Sequence, residues 1–337
     1  MKPFAYVRAA SVADAARLLG KGGAALAGGT DLLGLMKGGI AEPARLVDLS
    51  RIDGLRGWTR ERGAGLRIGA LTPLVELEES DALARHLPIV REALADAATL
   101  QLRAMGTLGG NLLQRNRCWY FRDQAFPCWL KGGTRCFAVD GENVHHAVVG
   151  TDGGCNRVSP SDLAPALIAH DARVSLTSAR GTRTIPLAEL FTDPALHRRE
   201  EHTIRPGEIV THVVIPDAAL QRRGTYVKAM DRKAWSFALV SVAAAARVRD
   251  GKLRDSRIVL GGVAPVPWRV EAAEREIDGK PYSDAIAARA ADVLLADAHP
   301  LKDNGYKIPL AKELVRRALA RLAAARCSPP AASRRAG

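Results

Sequence analysis

Four of the five cysteines in this 337-residue chain, Cys118, Cys128, Cys136 and Cys155, fall within one short segment with the spacing C-x9-C-x7-C-x18-C, while Cys327 lies alone near the end. This clustering constrains the fold strongly, because a segment that gathers its thiols must double back on itself around whatever they hold. The first residues carry no apolar stretch of the kind that leads a secreted chain, so metal or cofactor ligation is a better reading than a disulfide framework. From the residues alone, a set of thiolates suits a cubane iron–sulfur cluster or tetrahedral zinc equally, although the lack of a C-x2-C knuckle argues against the usual zinc ribbon. His145 and His146, beside the segment, are read as loop or strand residues instead of ligands. Cys327 is read as a free thiol without a role.

The remainder reads as alternating short strands and helices. With 47% hydrophobic and 25% charged residues, the chain can bury the core of a multidomain globular protein. Residues 11–19 form a capped amphipathic helix and residues 45–49 an apolar strand, with Ala27-Gly28-Gly29-Thr30-Asp31 between them as a strand-to-helix loop. Residues 66–70 alternate as a strand that leads through Thr72, the expected N-cap, and Pro73 into a helix. Apolar residues then recur at helical spacing over residues 81–102, predicting a helix that stops at the glycine-rich stretch before Asn111. Residues 112–156, which hold the cysteine cluster, show no sustained periodicity.

Residues 174–177, 184–186 and 209–215 read as strands. Two longer alternating runs, 239–249 and 253–263, flank Asp250-Gly251, a strong hairpin signal. Helices follow, the last from residue 310 to about 324, and the final residues are expected to be disordered. No apolar run approaches the roughly 20 residues of a membrane span.

Consecutive glycines let backbone N–H groups converge on one point, a concavity that suits a pyrophosphate. Ala27-Gly28-Gly29-Thr30-Asp31 has this character, and so does Thr107-Leu108-Gly109-Gly110-Asn111. Two such loops are able to grip one dinucleotide from two sides. Neither matches the G-x-G-x-x-G pattern, which argues against a Rossmann site. The formal charge of +13 is spread along the chain, only 5% of residues are aromatic, and no nucleic-acid module is visible. The basic surface is therefore assigned to an acidic partner or an anionic cofactor, not to nucleic acid.

The first loop with Leu32, the second with Leu112, and Ser159-Pro160-Ser161-Asp162-Leu163 together resemble the FAD-contacting segments of the molybdenum hydroxylases, the family of xanthine dehydrogenase and carbon monoxide dehydrogenase. Tyr226-Val227-Lys228 with Arg232, Gly261-Gly262-Val263-Ala264-Pro265, Tyr306, and the run from Leu314 to Leu319 resemble that family's C-terminal domain. The resemblance implies an α+β architecture. A two-subdomain FAD-binding fold of the PCMH type spans residues 1–220, divided into 1–56 and 57–220, with the cysteine-rich insertion at 112–156. A C-terminal α+β domain with a small antiparallel sheet follows over 221–325, and 326–337 form a disordered tail.

It also implies roles. Leu26, Ala27, Gly28, Gly29, Thr30, Asp31, Leu32, Leu33 and Gly34 would carry the FAD pyrophosphate, supported by Thr107, Gly110 and Asn111. Asp162 would bind ribityl or ribose hydroxyls, and Lys228 would lie close to the flavin ring. From the residues alone, Asp162 reads as a helix N-cap and Lys228 as a surface residue on a strand. The insertion resembles the [4Fe–4S] segment in the flavin subunits of periplasmic aromatic aldehyde oxidoreductases, with Cys118, Cys128, Cys136 and Cys155 as ligands. Arg115, Arg117, Arg122, Lys131 and Arg135 would offset the cluster's charge, and Trp119, Trp129 and Phe137 would shield it.

The implied function is electron transfer, with no catalytic residue in this chain. A large partner subunit would carry the molybdenum–pterin centre and a small one two [2Fe–2S] clusters, from which FAD would receive electrons for an external acceptor. Aldehyde oxidation is the implied overall reaction. A purine or N-heterocycle hydroxylase and a hydroxybenzoyl-CoA reductase-like enzyme are the alternatives, and a zinc-stabilised binding module is the alternative of another class. Without a signal of its own the chain reads as cytoplasmic, or as periplasmic by co-export with a signal-bearing partner.

Overall fold

A computed structural model of the protein describes residues 1–19, 23–61, 63–232 and 234–324. Cys327 and the tail 326–337 lie outside the described residues. Near the N-terminus, β1 (Ala5–Arg8), β2 (Gly23–Leu26) and β3 (Arg45–Asp48) form a parallel sheet in the order β1-β3-β2. Parallel neighbours need crossovers. The helix Val12–Leu18, capped by Ser11 through the Asp14 N–H, makes the first, and the helix Leu32–Lys37 makes the second.

A second sheet, antiparallel throughout, joins β4 (Trp58–Glu61), β5 (Gly65–Gly69), β6 (Arg173–Ser178), β7 (Gly181–Pro186) and β8 (Ile209–Ile215) in the order β4-β5-β8-β6-β7. Its apolar face and the helices between residues 74 and 112 enclose the largest core. The third sheet, β11-β10-β9, is built from β9 (Arg223–Ala229), β10 (Val240–Arg249) and β11 (Lys252–Gly261). Asp250 and Gly251 both take positive φ, 53° and 69°, as a two-residue hairpin turn requires.

The third sheet is buried on both faces. Alternate residues point to opposite sides. Tyr226, Ala243, Ala245 and Val259 therefore join the core beneath the second sheet, whereas Val227, Val242, Ala244 and Ile258 meet the helices Asp284–Leu294 and Lys307–Ala324. Glu92 covers the open edge of β9, accepting hydrogen bonds from the Tyr226 N–H at 2.7 Å and the Thr225 hydroxyl at 3.0 Å. Lys228 shares the inner face with Tyr226, and this register carries it to the site described below.

Three local expectations are corrected. Thr72 does not cap a helix: its hydroxyl donates to the Gly69 carbonyl at 2.7 Å and accepts from the Gly57 N–H at 2.9 Å, and the helix Leu74–Glu79 begins without a side-chain cap. The helix expected over residues 81–102 is three short ones, Asp81–His86, Pro88–Ala95 and Leu100–Met105. Proline forces Leu87 out of helical geometry, and Ala98 turns the chain with a φ of 56°. The final helix starts earlier than expected, at Lys307, with Pro309 tolerated in its first turn. Among the described residues no helix is long and apolar enough to cross a membrane.

Candidate functional site

The first glycine loop leaves β2 at Leu26 and enters the helix Leu32–Lys37. Gly29 has a φ of +70°, and a Cβ on Gly28 would fall 1.7 Å from the Met105 carbonyl oxygen, so the loop is pressed against the chain entering the second loop. Leu26, Ala27, Gly28, Gly29 and Leu32 are half-buried, while Thr30, Leu33 and Gly34 are exposed. The loop thus keeps an open rim. The Asp31 carboxylate is turned toward the cysteine segment: it accepts from the Arg115 N–H at 2.8 Å, from Arg122 Nη2 at 2.7 Å and from Arg117 Nη1. Burial alone would raise this carboxyl, but those groups hold it below its usual range.

The second segment is a capped single turn instead of a free loop. Thr107 Oγ1 accepts from the Gly110 N–H at 3.2 Å at the start of the helix Leu108–Leu112, which leaves the Thr107 O–H able to donate. Asn111 Oδ1 accepts from Ser161 Oγ at 2.6 Å, so the second and third segments are joined directly. That bond leaves the Asn111 carboxamide N–H groups unassigned.

Asp162 occupies the N-cap position of the helix Leu163–Ile168 but makes no cap bond; Ser161 Oγ accepts from the Ala164 N–H in its place. The buried Asp162 carboxylate accepts instead from the Tyr226 hydroxyl at 2.6 Å and from Lys228 Nζ at 3.0 Å. Lys228 is no surface residue, since its side chain is fully buried and also donates to the Asp96 carbonyl at 2.7 Å. Burial raises the Asp162 carboxyl, outweighing the pull of Lys228. With a protein donor on each oxygen, Asp162 keeps about half the accepting capacity of an idle carboxylate for ligand hydroxyls.

Residues 159–162 open on a cleft of about 310 Å³ whose far wall is the loop Asp231, Arg232, Trp235, Ser236 and Phe237. Arg117 spans it, with its guanidinium 4.8 Å from the Phe237 ring and bound to Asp31 behind. Ser159 Oγ, Trp235 Nε1 and His146 Nδ1, all from residues of this cleft, are buried without a protein partner. Buried polar atoms rarely stay unpaired, so the cleft has the makings of a polar ligand site. The first glycine loop does not line it, and Arg117 is the link between them.

All four clustered cysteines line a second, smaller pocket, walled by Tyr120, Phe121, Trp129, Leu130 and Phe137. The thiols surround the pocket: among the described residues no group of three or more His, Cys, Asp or Glu stands close enough to hold a single metal ion. A hydrogen bond from Cys155 brings the Cys136 thiol down to about 5, while burial pushes Cys118 up to about 11. As a donor set, thiols around an apolar pocket fit an iron–sulfur cluster. Of the three aromatics expected to shield it, Trp129 and Phe137 wall this pocket, whereas Trp119 lines the polar cleft instead. The basic residues are already engaged, Arg117 and Arg122 by Asp31, Arg115 by Glu201, Lys131 by the Asp123 carbonyl, and Arg135 over Phe137.

Several residues of the site carry no local signal in the sequence. Buried Glu201 accepts from the Asn116 backbone and side-chain N–H groups, both at 2.9 Å, and so pins the start of the cysteine segment. Near its end, Asn143 accepts from the Asp303 N–H at 2.8 Å, Asn304 donates to the Ala147 carbonyl at 3.0 Å, and buried Lys307 donates to the His145 carbonyl at 2.8 Å. Burial brings Lys307 down to about 7. His146, expected to be a bystander, places Nε2 3.2 Å from Cys118 Sγ.

Comparison with known proteins gives matches along nearly the whole chain. A model described as the FAD binding domain in molybdopterin dehydrogenase matches residues 2–218, and one for the CO dehydrogenase flavoprotein C-terminal domain matches residues 225–322. The aldehyde oxidoreductase FAD-binding subunit PaoB of Escherichia coli is 39% identical, over 95% of this chain and 98% of that protein. The carbon monoxide dehydrogenase medium chain of Hydrogenophaga pseudoflava is 30% identical, over 96% and 98%. Among solved structures, reconstituted CO dehydrogenase from Oligotropha carboxidovorans superposes with a TM-score of 0.76 at 27% identity, covering 96% of this chain and 98% of that one.

Proposed function

Because the chain belongs to the family of FAD-binding subunits of the molybdenum hydroxylases, we propose that it is the electron-transfer subunit of a molybdenum-dependent aldehyde oxidoreductase, assembled with a molybdenum–pterin large subunit and a [2Fe–2S] small subunit. The chain accepts electrons from the small subunit's clusters and hands them to an external acceptor. Cys118, Cys128, Cys136 and Cys155 hold a [4Fe–4S] cluster in the second pocket. One observation carries this reading: Cys118 lines both the thiol pocket and the polar cleft, so the two cavities share a wall. The similarity to an aldehyde oxidoreductase subunit supports the choice of aldehydes.

Bound FAD would supply a carrier that exchanges electrons singly or in pairs, and the cluster a one-electron site. The chain's own residues do the holding. Residues 26–34 and the Thr107 hydroxyl would hold the pyrophosphate, helped by Gly110 and Asn111, although the Leu33 N–H is already given to the Gly29 carbonyl. Asp162 would take hydroxyls of the ligand, and Lys228 pulls that carboxylate toward its ionised form against the burial that raises it.

Metal and flavin analysis of the purified complex tests the assignment. Acid precipitation is expected to release the flavin, and about four iron and four sulfide per chain are expected. Zinc without sulfide would overturn the cluster, and a flavin-free complex would overturn the cofactor site. Asn111→Ala removes both the acceptor for Ser161 and the free carboxamide N–H, and it is expected to weaken FAD binding about 5- to 30-fold, or ~1–2 kcal/mol. Quenching of flavin fluorescence on titration reads this directly. An unchanged affinity would show that the flavin does not lie on the second segment.

A further inference from the structure

His146 is buried, and the reading so far gives its Nε2 no task. Its Nε2 lies 3.2 Å from Cys118 Sγ, and both residues line the polar cleft, so the contact sits on the wall between the two cavities. A cysteine that ligates a cluster does so as a thiolate, which accepts hydrogen bonds and has no proton to give. The contact is attractive only with the imidazole proton on Nε2. The ring is also held in place: the His146 N–H donates to the Asn143 carbonyl at 2.9 Å, Asn304 Nδ2 lies 3.3 Å from the His146 carbonyl, and the Trp119 ring meets the imidazole edge-on at 5.2 Å. Asn156 Nδ2 approaches Cys136 at a longer 3.5 Å, and Cys136 does not line the cleft.

We infer that His146 is a positioning residue that donates an N–H hydrogen bond to Cys118, the ligand facing the polar cleft, and thereby raises the reduction potential of the cluster. The inference rests on the [4Fe–4S] reading of the four cysteines. Its physical basis is general: reduction adds negative charge that spreads onto the ligand sulfurs, and a hydrogen bond to a sulfur stabilises the reduced form more than the oxidised one.

The test uses the assembled complex with His146→Leu, which removes the donor, and His146→Gln, whose carboxamide keeps an N–H of similar reach. Iron and sulfide are measured alongside an EPR-monitored redox titration. The leucine variant is expected to keep about four iron per chain and to titrate at lower potential, and the glutamine variant to recover most of the shift. Equal potentials in the leucine variant and the parent, with iron intact, would overturn the inference and leave the cluster standing. A parent complex without iron and sulfide would overturn the reading beneath it, and the inference with it. Should the leucine chain fail to fold, the unaltered complex decides: pulsed EPR of the reduced cluster after 15N-histidine labelling is expected to show a histidine nitrogen coupling, and its absence overturns the inference.

Discussion

Lys228→Met is expected to cost about 3–5 kcal/mol of stability at neutral pH, because it leaves the buried Asp162 carboxylate without its bonded cation. The pH dependence identifies the cause. Asp162 already titrates above the usual range, since burial outweighs the pull of Lys228, and with methionine in place that pull is gone. A carboxyl whose folded pKa is raised keeps its proton longer in the folded chain than in the unfolded one. Folding then binds a proton, and stability falls as pH rises through the window between the two pKa values. The variant should therefore regain stability on acidification from neutral pH toward ~4, the unfolded carboxyl value, opposite to the behaviour of an ordinary paired carboxylate. Urea midpoints across that range provide the measurement, and adding Asp162→Asn should restore much of the loss. A neutral-pH midpoint equal to the parent's would mean that the Tyr226 hydroxyl alone suffices to hold the carboxylate.

Cys128→Ser is expected to lose most of the iron and, with it, at least tenfold in FAD affinity, about 1.4 kcal/mol. The second effect follows from packing. Cys128, Tyr120, Phe121 and Leu130 share one hydrophobic cluster with Leu35, which lies on the helix that begins at the first glycine loop. Asp31 of that loop also holds Arg117 and Arg122 of the cysteine segment. Ordering an irregular segment costs roughly 1–2 kcal/mol per residue, and without a ligated centre residues 112–156 lose part of what offsets that cost. Limited proteolysis should then cut within this segment, while a fluorescence titration reads the flavin. An iron-free variant with parental proteolysis and parental FAD affinity would show that the segment and the loop order independently.

What could be read from the sequence was what is local. The helix expected over 11–19 and found over 12–18, the strand expected over 45–49 and found over 45–48, and the Asp250-Gly251 hairpin are set by neighbours in the chain, through capping, alternation and turn geometry. The convergence of the thiols on one pocket follows from their clustering. Lys228 was misjudged on its own residues because a strand position says which face a side chain takes, not what covers that face; here the core beneath the second sheet covers it. Thr72 and Asp162 look like caps, yet Thr72 stands one residue before the cap position and bonds the backbone of Gly57 and Gly69, and Asp162 binds partners 64 and 66 residues further on. Glu201 and Asn304 gave no signal at all, since nothing near them in sequence hints at the backbone they bind. Helical spacing over 81–102 was correct for each turn, but it cannot register that Pro88 and Ala98 redirect the axis between turns.

The grip of residues 303–307 on residues 143–147 has a consequence in time. Asn143 and Asp303 are 160 residues apart in the chain, so at about 5–20 residues per second a ribosome releases the thiol-bearing segment some ten to thirty seconds, roughly, before the strap that fastens it. Throughout that interval Cys118, Cys128, Cys136 and Cys155 are already made, while the last helix, Lys307–Ala324, is not yet there to brace them. The pocket becomes a finished mould only once residues 303–307 have been made. Filling it is therefore expected to wait for those residues, and a nascent chain truncated before residue 301 should be a poor recipient of iron however long it is left to mature.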